Sequence, residues 1–155
     1  MEYRKVKQLL FAQEIEMGGI PVYQPFPTNN VEQIDPFLLL HHLETNVKAN
    51  SHPRETGVDP LPHRGFSPIT FVIKGNIHHR DSRGNSQLVQ AGGVQWLDAG
   101  RGIVHSERAG TNLAESGGQL ELIQLWINTP QIHKMDTPRY LAFEQDKIPK
   151  IESDN

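Results

Sequence analysis

Apolar residues in this chain come in short bursts cut off by glycine, and nowhere do they hold a clean helical period of 3.6 residues over about a dozen positions. Gly57, Gly65, Gly75, Gly84, Gly92 with Gly93, Gly100, Gly102, Gly110 and Gly117 with Gly118 place turn signals mostly within roughly 8–12 residues of one another, the spacing of short antiparallel strands. The bursts between them have strand character. Residues 37–43 (FLLLHHL) and 69–73 (ITFVI) are apolar or β-branched runs, 94–97 and 103–107 are shorter, and 120–128 (LELIQLWIN) closes the set. Residues 77–81 and 86–90 flank Ser82-Arg83-Gly84-Asn85, which predicts a hairpin. The pattern predicts an all-β sandwich or barrel with few or no helices. Residues 44–62, rich in Pro, Asn, Ser and Thr, predict one long loop, and loops of that length usually cover something. Residues 131–155 predict an extended tail, weakly ordered at its IESDN finish.

Composition narrows the class. A length of 155 residues is that of one domain, and 21% charged residues beside 36% hydrophobic ones describe a chain that folds. Fifteen basic against eighteen acidic residues leave a net charge of −3, so no broad basic field exists and direct nucleic-acid binding is not expected. The absence of cysteine removes disulfides, thiolate metal ligands and cysteine nucleophiles, and suits a cytoplasmic protein. Residues 9–12 and 37–40 are the longest purely apolar runs, far short of the ~20 residues of a membrane span, and the N-terminal stretch does not read as a signal peptide.

Histidine carries the candidate chemistry, with eight in the chain. His105 and Glu107, two apart on a strand, point to one face, so a ring nitrogen and a carboxylate oxygen can converge on one point; the same spacing also fits a surface ion pair. His63, after Leu61-Pro62, brings a second imidazole on a separate segment, or else is a loop residue bonded to a nearby carbonyl. His41-His42 and His78-His79 are adjacent pairs whose members face opposite ways, and Asp81 stands on the face of His79 as its partner. His52 and His133 carry no ligand role. Ser106 points away from both its neighbours, no G-x-S-x-G elbow occurs, and Gly100-Arg101-Gly102 leads into a strand where a phosphate loop needs a helix.

Five segments then stop being anonymous: PHRGF at 62–66, HRDSRGN at 79–85, AGGVQWLDAGRGIVHSE at 91–107, QLWINTP at 124–130 and HKMDTPRY at 133–140. In this order they closely resemble the pirin family of the cupin superfamily. The resemblance implies a cupin-type jelly-roll β-barrel spanning residues 1–155 as a single N-terminal cupin domain, with the family's second domain absent. It also implies a metal held by two histidines of an H-P-H segment and by a later H-x-E pair. Carried over, the ligands are His63, His105 and Glu107, while the first histidine of the family falls on Leu61, which offers no donor. Two histidines and one carboxylate suit Fe(II), with Ni, Zn, Mn or Cu as alternatives, and Leu61 is expected to weaken the site.

Some pirins resemble quercetinases, so one expectation is a metal-dependent dioxygenase that opens a flavonol ring, a small aromatic substrate, with Glu107 as ligand and catalytic proton acceptor. Arg64 and Gln124 are candidates for the pocket rim. The resemblance leaves two alternatives, a non-enzymatic binding or transcriptional co-regulator protein and a degenerate cupin with a weakened metal site. A chain holding only the first domain is further expected to form a homodimer over the surface its second domain would cover, with the strand near Phe37–Leu40 and the N-terminal strand among its contributors.

Overall fold

Eleven strands fill most of residues 5–152, the part of the chain that the computed structural model describes. They are β1 (Gln13–Met17), β2 (Ile20–Phe26), β3 (Phe37–Val47), β4 (Gly57–His63), β5 (Phe66–Lys74) and β6 (Asn76–Asp81), followed by β7 (Ser86–Gln90), β8 (Val94–Asp98), β9 (Ile103–Ala109), β10 (Gly118–Asn128) and β11 (Arg139–Phe143). One antiparallel sheet runs β1-β2-β3-β10-β5-β8-β11 and the other β4-β9-β6-β7. Helix is confined to α1 (Thr111–Ser116) and three short 3₁₀ turns among the described residues, so the all-β expectation holds. The expected hairpin is β6–β7, paired from Asn76↔Gln90 to Arg80↔Ser86.

Two stretches differ from the sequence reading. The loop expected over 44–62 shrinks to 48–56, because β3 continues to Val47 and β4 begins at Gly57. Pro60 and Pro62 disguise β4 as loop, yet β4 is an edge strand, where a missing backbone N–H breaks no ladder on its open side. The tail over 131–155 is not merely extended, since β11 pairs with β8 from Arg139↔Asp98 to Phe143↔Val94. Of the expected weakly ordered finish, residues 153–155 lie outside the described residues.

The inner faces of both sheets meet in a main apolar cluster, with a smaller one of Leu97, Ala99 and Ile103 apart from it. Val22, Leu43, Val72, Leu120 and Leu122 come from the large sheet and Ile77, Val89 and Ala109 from the small one, with Leu113 of α1 packed among them. Strand alternation places these side chains inward at every second position. The outer face of the large sheet is different: Phe71, Ile73, Trp96, Leu141 and Phe143 are all exposed on it.

Candidate metal centre

Beyond that apolar cluster the same strands turn polar inside. His105 and Glu107 of β9 are buried and face inward together, at 2% and 9% exposure, so they form an interior pair and not a surface one. His63 ends β4 as a buried strand residue, and its ring centre lies 4.8 Å from that of His105. The β4–β9 register sets Leu61 opposite His105 and His63 opposite Ile103, so positions 61 and 63 share the inner face and Leu61 sits beside His105 without a donor.

Strand β6 adds a histidine that the sequence reading confined to a pairing with Asp81. That pairing exists, His79 Nε2 lying 3.0 Å from Asp81 Oδ2, but His79 is fully buried and its Nδ1 lies 3.5 Å from His105 Nδ1. Donor atoms of His79, His105 and Glu107 all fall within 4.8 Å of one another, the one such triple among the described residues. Only the β6–β9 register brings His79 to this place, and that register is not written in the spacing of either motif. Tyr140, from the supposed tail, stacks on His79 with ring centres 3.9 Å apart and planes 6° apart. Of the other histidines, His42 faces Glu121, His78 faces Ser86 and His133 faces Asp136, His52 accepts from the backbone N–H of Arg54, and the buried His41 meets Gln24 Oε1 through Nε2 while its Nδ1 has no hydrogen-bond partner.

Glu107 is held by a shell that no motif announced. Gln95 donates to its Oε1, Gln124 donates to its Oε2 at 3.0 Å, and the Thr70 hydroxyl reaches Oε1 at 3.4 Å. Each glutamine amide is oriented from behind by an aromatic donor. Tyr140 Oη donates to Gln95 Oε1 at 3.0 Å and Trp126 Nε1 donates to Gln124 Oε1 at 2.9 Å, which turns both NH₂ groups toward the carboxylate. Gln124 is thus a buried partner of Glu107, deeper than the rim position expected of it. Arg64 is exposed, donates to Met135 Sδ and lines the cleft beside His63, at the rim expected of it.

Burial sets the charge states. It lowers both His63 and His105 to about 4, each helped by repulsion from a neighbouring histidine, His105 acting on His63 and His79 acting on His105. Both rings are therefore neutral at physiological pH and offer lone pairs. Burial pushes the Glu107 carboxyl up, against the pull of His79 and the hydrogen bonds from Gln124, Thr70 and Gln95.

These residues fit a divalent cation. His105 Nε2 is buried with no hydrogen-bond partner, and an unpaired buried polar atom is costly unless something satisfies it. Beside it lie a carboxylate and a second neutral imidazole, the donor types that bind first-row divalent metals. Pro62, His63, Arg64, Gly102 and Val104 wall an open cleft of about 420 Å³, and of the three carried-over ligands His63 alone borders it. Phe66 and Trp126, stacked at 4.4 Å, flank the His63 ring at 5.0 and 5.1 Å. The turn ahead of β9 is locked to this rim: Gly65 N–H donates to the Gly100 carbonyl and Arg101 N–H to the Asp136 carbonyl. Gly100 has φ +46°, and a Cβ there would collide with that Asp136 carbonyl, which accounts for glycine at this position.

Known proteins share this architecture. A Pseudomonas aeruginosa protein provisionally named quercetin 2,3-dioxygenase is 39% identical over 134 residues, covering 86% of this chain and 46% of that protein. The crystal structure of a quercetin 2,3-dioxygenase from Acinetobacter baumannii superposes with a TM-score of 0.81 at 35% identity, over 90% of this chain and 49% of that one. A bacterial pirin from Escherichia coli, crystallised in complex with nickel(II), matches with a TM-score of 0.70 at 26% identity, over 86% of this chain and 54% of that one. This chain therefore spans about half the length of these relatives. The Pirin family model matches residues 19–127, across both sheets and the whole His–His–Glu cluster, and the chain belongs to the pirin family.

Proposed function

We propose that this chain binds one divalent metal ion through His63, His105 and Glu107 and supports quercetinase-like oxidation of a flavonol. The observation that carries the reading is the buried, unpartnered Nε2 of His105, whose ring lies 4.8 Å from that of His63 and which belongs to a residue with a donor atom within 4.8 Å of one on Glu107. A bound ion would supply Lewis acidity, lowering the pKa of a coordinated hydroxyl. The protein's part is to supply two neutral nitrogen donors and one oxygen donor on adjacent inner strands. Glu107 is the group placed to accept the hydroxyl proton, and Gln95, Gln124 and Thr70 keep its carboxylate aimed. The cleft beside His63 falls within the roughly 300–1,000 Å³ of small-molecule sites, and the Phe66–Trp126 stack offers a flat apolar face for an aromatic ring. Fe(II) suits two histidines and a carboxylate, and Ni(II) is supported by the nickel complex of the Escherichia coli relative.

The test is metal content after purification without added metal and after soaking in Fe(II), Ni(II) or Zn(II), for wild type and His105→Ala, followed by flavonol absorbance. One ion per wild-type chain, far less in the variant, and loss of the flavonol band are the expected results. Equal stoichiometry in both proteins would overturn the ligand assignment. Leu61 favours a second reading, a pirin-like binding or co-regulator protein, and metal binding without turnover would select it.

We also propose a homodimer with the outer face of the large sheet as its interface, supported by the exposure of Phe71, Ile73, Trp96, Leu141 and Phe143. Light scattering at high micromolar concentration should give twice the chain mass, and a monomeric mass removes the idea.

A further inference from the structure

The strand alternation that turns His79, His105 and Glu107 inward turns His78, Arg80, Ser106 and Arg108 outward. The β6–β9 register sets His78 opposite Arg108 and Arg80 opposite Ser106, so two guanidiniums stand on a diagonal of the small sheet's outer face. The 3₁₀ turn Pro53–Glu55 brings a third to the same place, and His52, Arg54, His78, Arg80, Ser106 and Arg108 wall one cleft of about 240 Å³. We propose that this cleft is an anion site for a phosphate group, with Arg54, Arg80 and Arg108 as its cationic donors and the Ser106 hydroxyl as a neutral one. The site stands without the metal reading, because it lies on the outer face of β9 and the candidate ligands lie on the inner face.

Charge is the first argument. The chain as a whole is acidic, with a net charge of −3, yet three guanidiniums gather here and no acidic side chain walls the cleft. Among the described residues the arginines engaged in ion pairs are Arg108, with Asp59 at 3.0 Å, and Arg139, with Asp98. The Asp59 side chain is 87% exposed, and a surface pair of that kind neutralises little. Arg54 and Arg80 therefore bring their charge to the cleft uncompensated. Arg108 also has a buried Nε with no hydrogen-bond partner, and a buried N–H that lacks an acceptor is costly. Like charges gathered on one patch, with donors left unpaired, are stabilised by an anion that accepts from several of them at once.

Shape is the second argument. The turn that carries Arg54 is fastened to β9, since Ala109 N–H donates to the Thr56 carbonyl at 3.1 Å, and Thr56 Oγ1 donates to the Pro53 carbonyl at 2.8 Å. The Arg54 backbone N–H donates to His52 Nδ1 at 3.2 Å. The backbone under all three arginines is thus held by strand pairing or by the turn. A carboxylate presents two oxygens in one plane and is matched by a single guanidinium fork. Three forks arriving from β6, β9 and the turn match a group with oxygens in three dimensions and close to two negative charges, which is phosphate. The volume is below the roughly 300–1,000 Å³ of sites for drug-sized molecules, so the cleft suits free phosphate or the phosphate end of a small monoester.

The experiment is calorimetric titration at low ionic strength with inorganic phosphate, phenyl phosphate and acetate. Wild type should bind one phosphate per chain saturably and acetate distinctly more weakly. Arg54→Ala and Arg80→Ala, both at exposed positions, should each weaken phosphate about tenfold, as expected for the loss of a charge-assisted hydrogen bond, and combining Arg80→Ala with Arg108→Ala should abolish binding. No saturable phosphate binding, undiminished binding in the single variants, or acetate bound as tightly as phosphate overturns the site. If the double variant does not fold, the two exposed single variants still decide. His105→Ala should bind phosphate as wild type does; binding lost there and kept in Arg80→Ala would place the phosphate on a metal ion and overturn the proposal. Phenyl phosphate bound more tightly than inorganic phosphate assigns the site to a phosphomonoester, and equal or weaker binding assigns it to free phosphate, both of which support a phosphate site.

Discussion

The two ends of the barrel interior are built from the same strands and differ in chemistry by a single step along each. On β5 the inward positions run from Val72 to Thr70, on β10 from Leu122 to Gln124, on β6 from Ile77 to His79 and on β9 from Ala109 to Glu107. Every second residue on one side of that step belongs to an apolar plug, and the first inward residues on the other belong to a hydrogen-bonded polar site, beyond which Leu97, Ala99 and Ile103 form a second, smaller apolar cluster. The plug is held by non-directional burial, which many apolar side chains could supply. The site is held by directed bonds among buried groups, each of which costs free energy if its partner is lost. One end can therefore be expected to carry stability and the other function, with the shared strands as scaffold.

The strongest way to break that division is to damage the plug alone. Ile77 is 1% exposed, and Ile77→Ala should cost about 2–5 kcal/mol, read as a lower urea midpoint with an unchanged slope. The variant should still take up one metal ion per chain under conditions where it is folded. Loss of metal by the folded variant would show that the plug positions the site and that the two ends are not separable.

A smaller effect is expected from the site end at Leu61. Leu61→His places an imidazole on the inner face opposite His105 and should raise metal affinity by about tenfold, equivalent to ~1.4 kcal/mol. Titration against a metal-ion indicator reads it directly. Unchanged or lower affinity would mean that the site has been repacked around leucine, and would count against the dioxygenase reading.

The same division explains what was legible in the sequence. Apolar bursts and glycine turns identified the strands that feed the plug, because period-two burial leaves a direct mark on composition, and β6–β7 was readable from its turn residues alone. Strands β4 and β2 were hidden by proline, and β11 by its brevity and its place in a polar tail; all depend on pairing for their structure. In the site, His105 and Glu107 were legible because both lie on one strand. Gln95 and Tyr140 were not, and His79 and Gln124 were singled out for a pairing and a rim position but not for their place beside His105 and Glu107, because these residues come from four other strands and only the register assembles them. Glutamine in particular gives no warning in a sequence, being ordinary on surfaces and informative only when buried.

The gentlest test sits on the boundary itself, at Thr70, which is fully buried between the plug and the carboxylate. Its hydroxyl accepts from Gln95 at 3.3 Å and Gln124 at 3.1 Å and reaches Glu107 at 3.4 Å, so it ties the two amides together below the ligand. Thr70→Val keeps the shape and removes these bonds, moving the step from apolar to polar one position along β5. Both amides retain their bonds to Glu107 and their aromatic donors, so no group is left wholly unpaired and the loss should be about 1 kcal/mol, near that of one net hydrogen bond. Metal affinity should change by less than the Leu61→His gain. If Thr70→Val instead abolishes metal binding while stability barely moves, Thr70 organises the Glu107 carboxylate more than it joins the two ends, and the boundary between plug and site lies one residue nearer Val72.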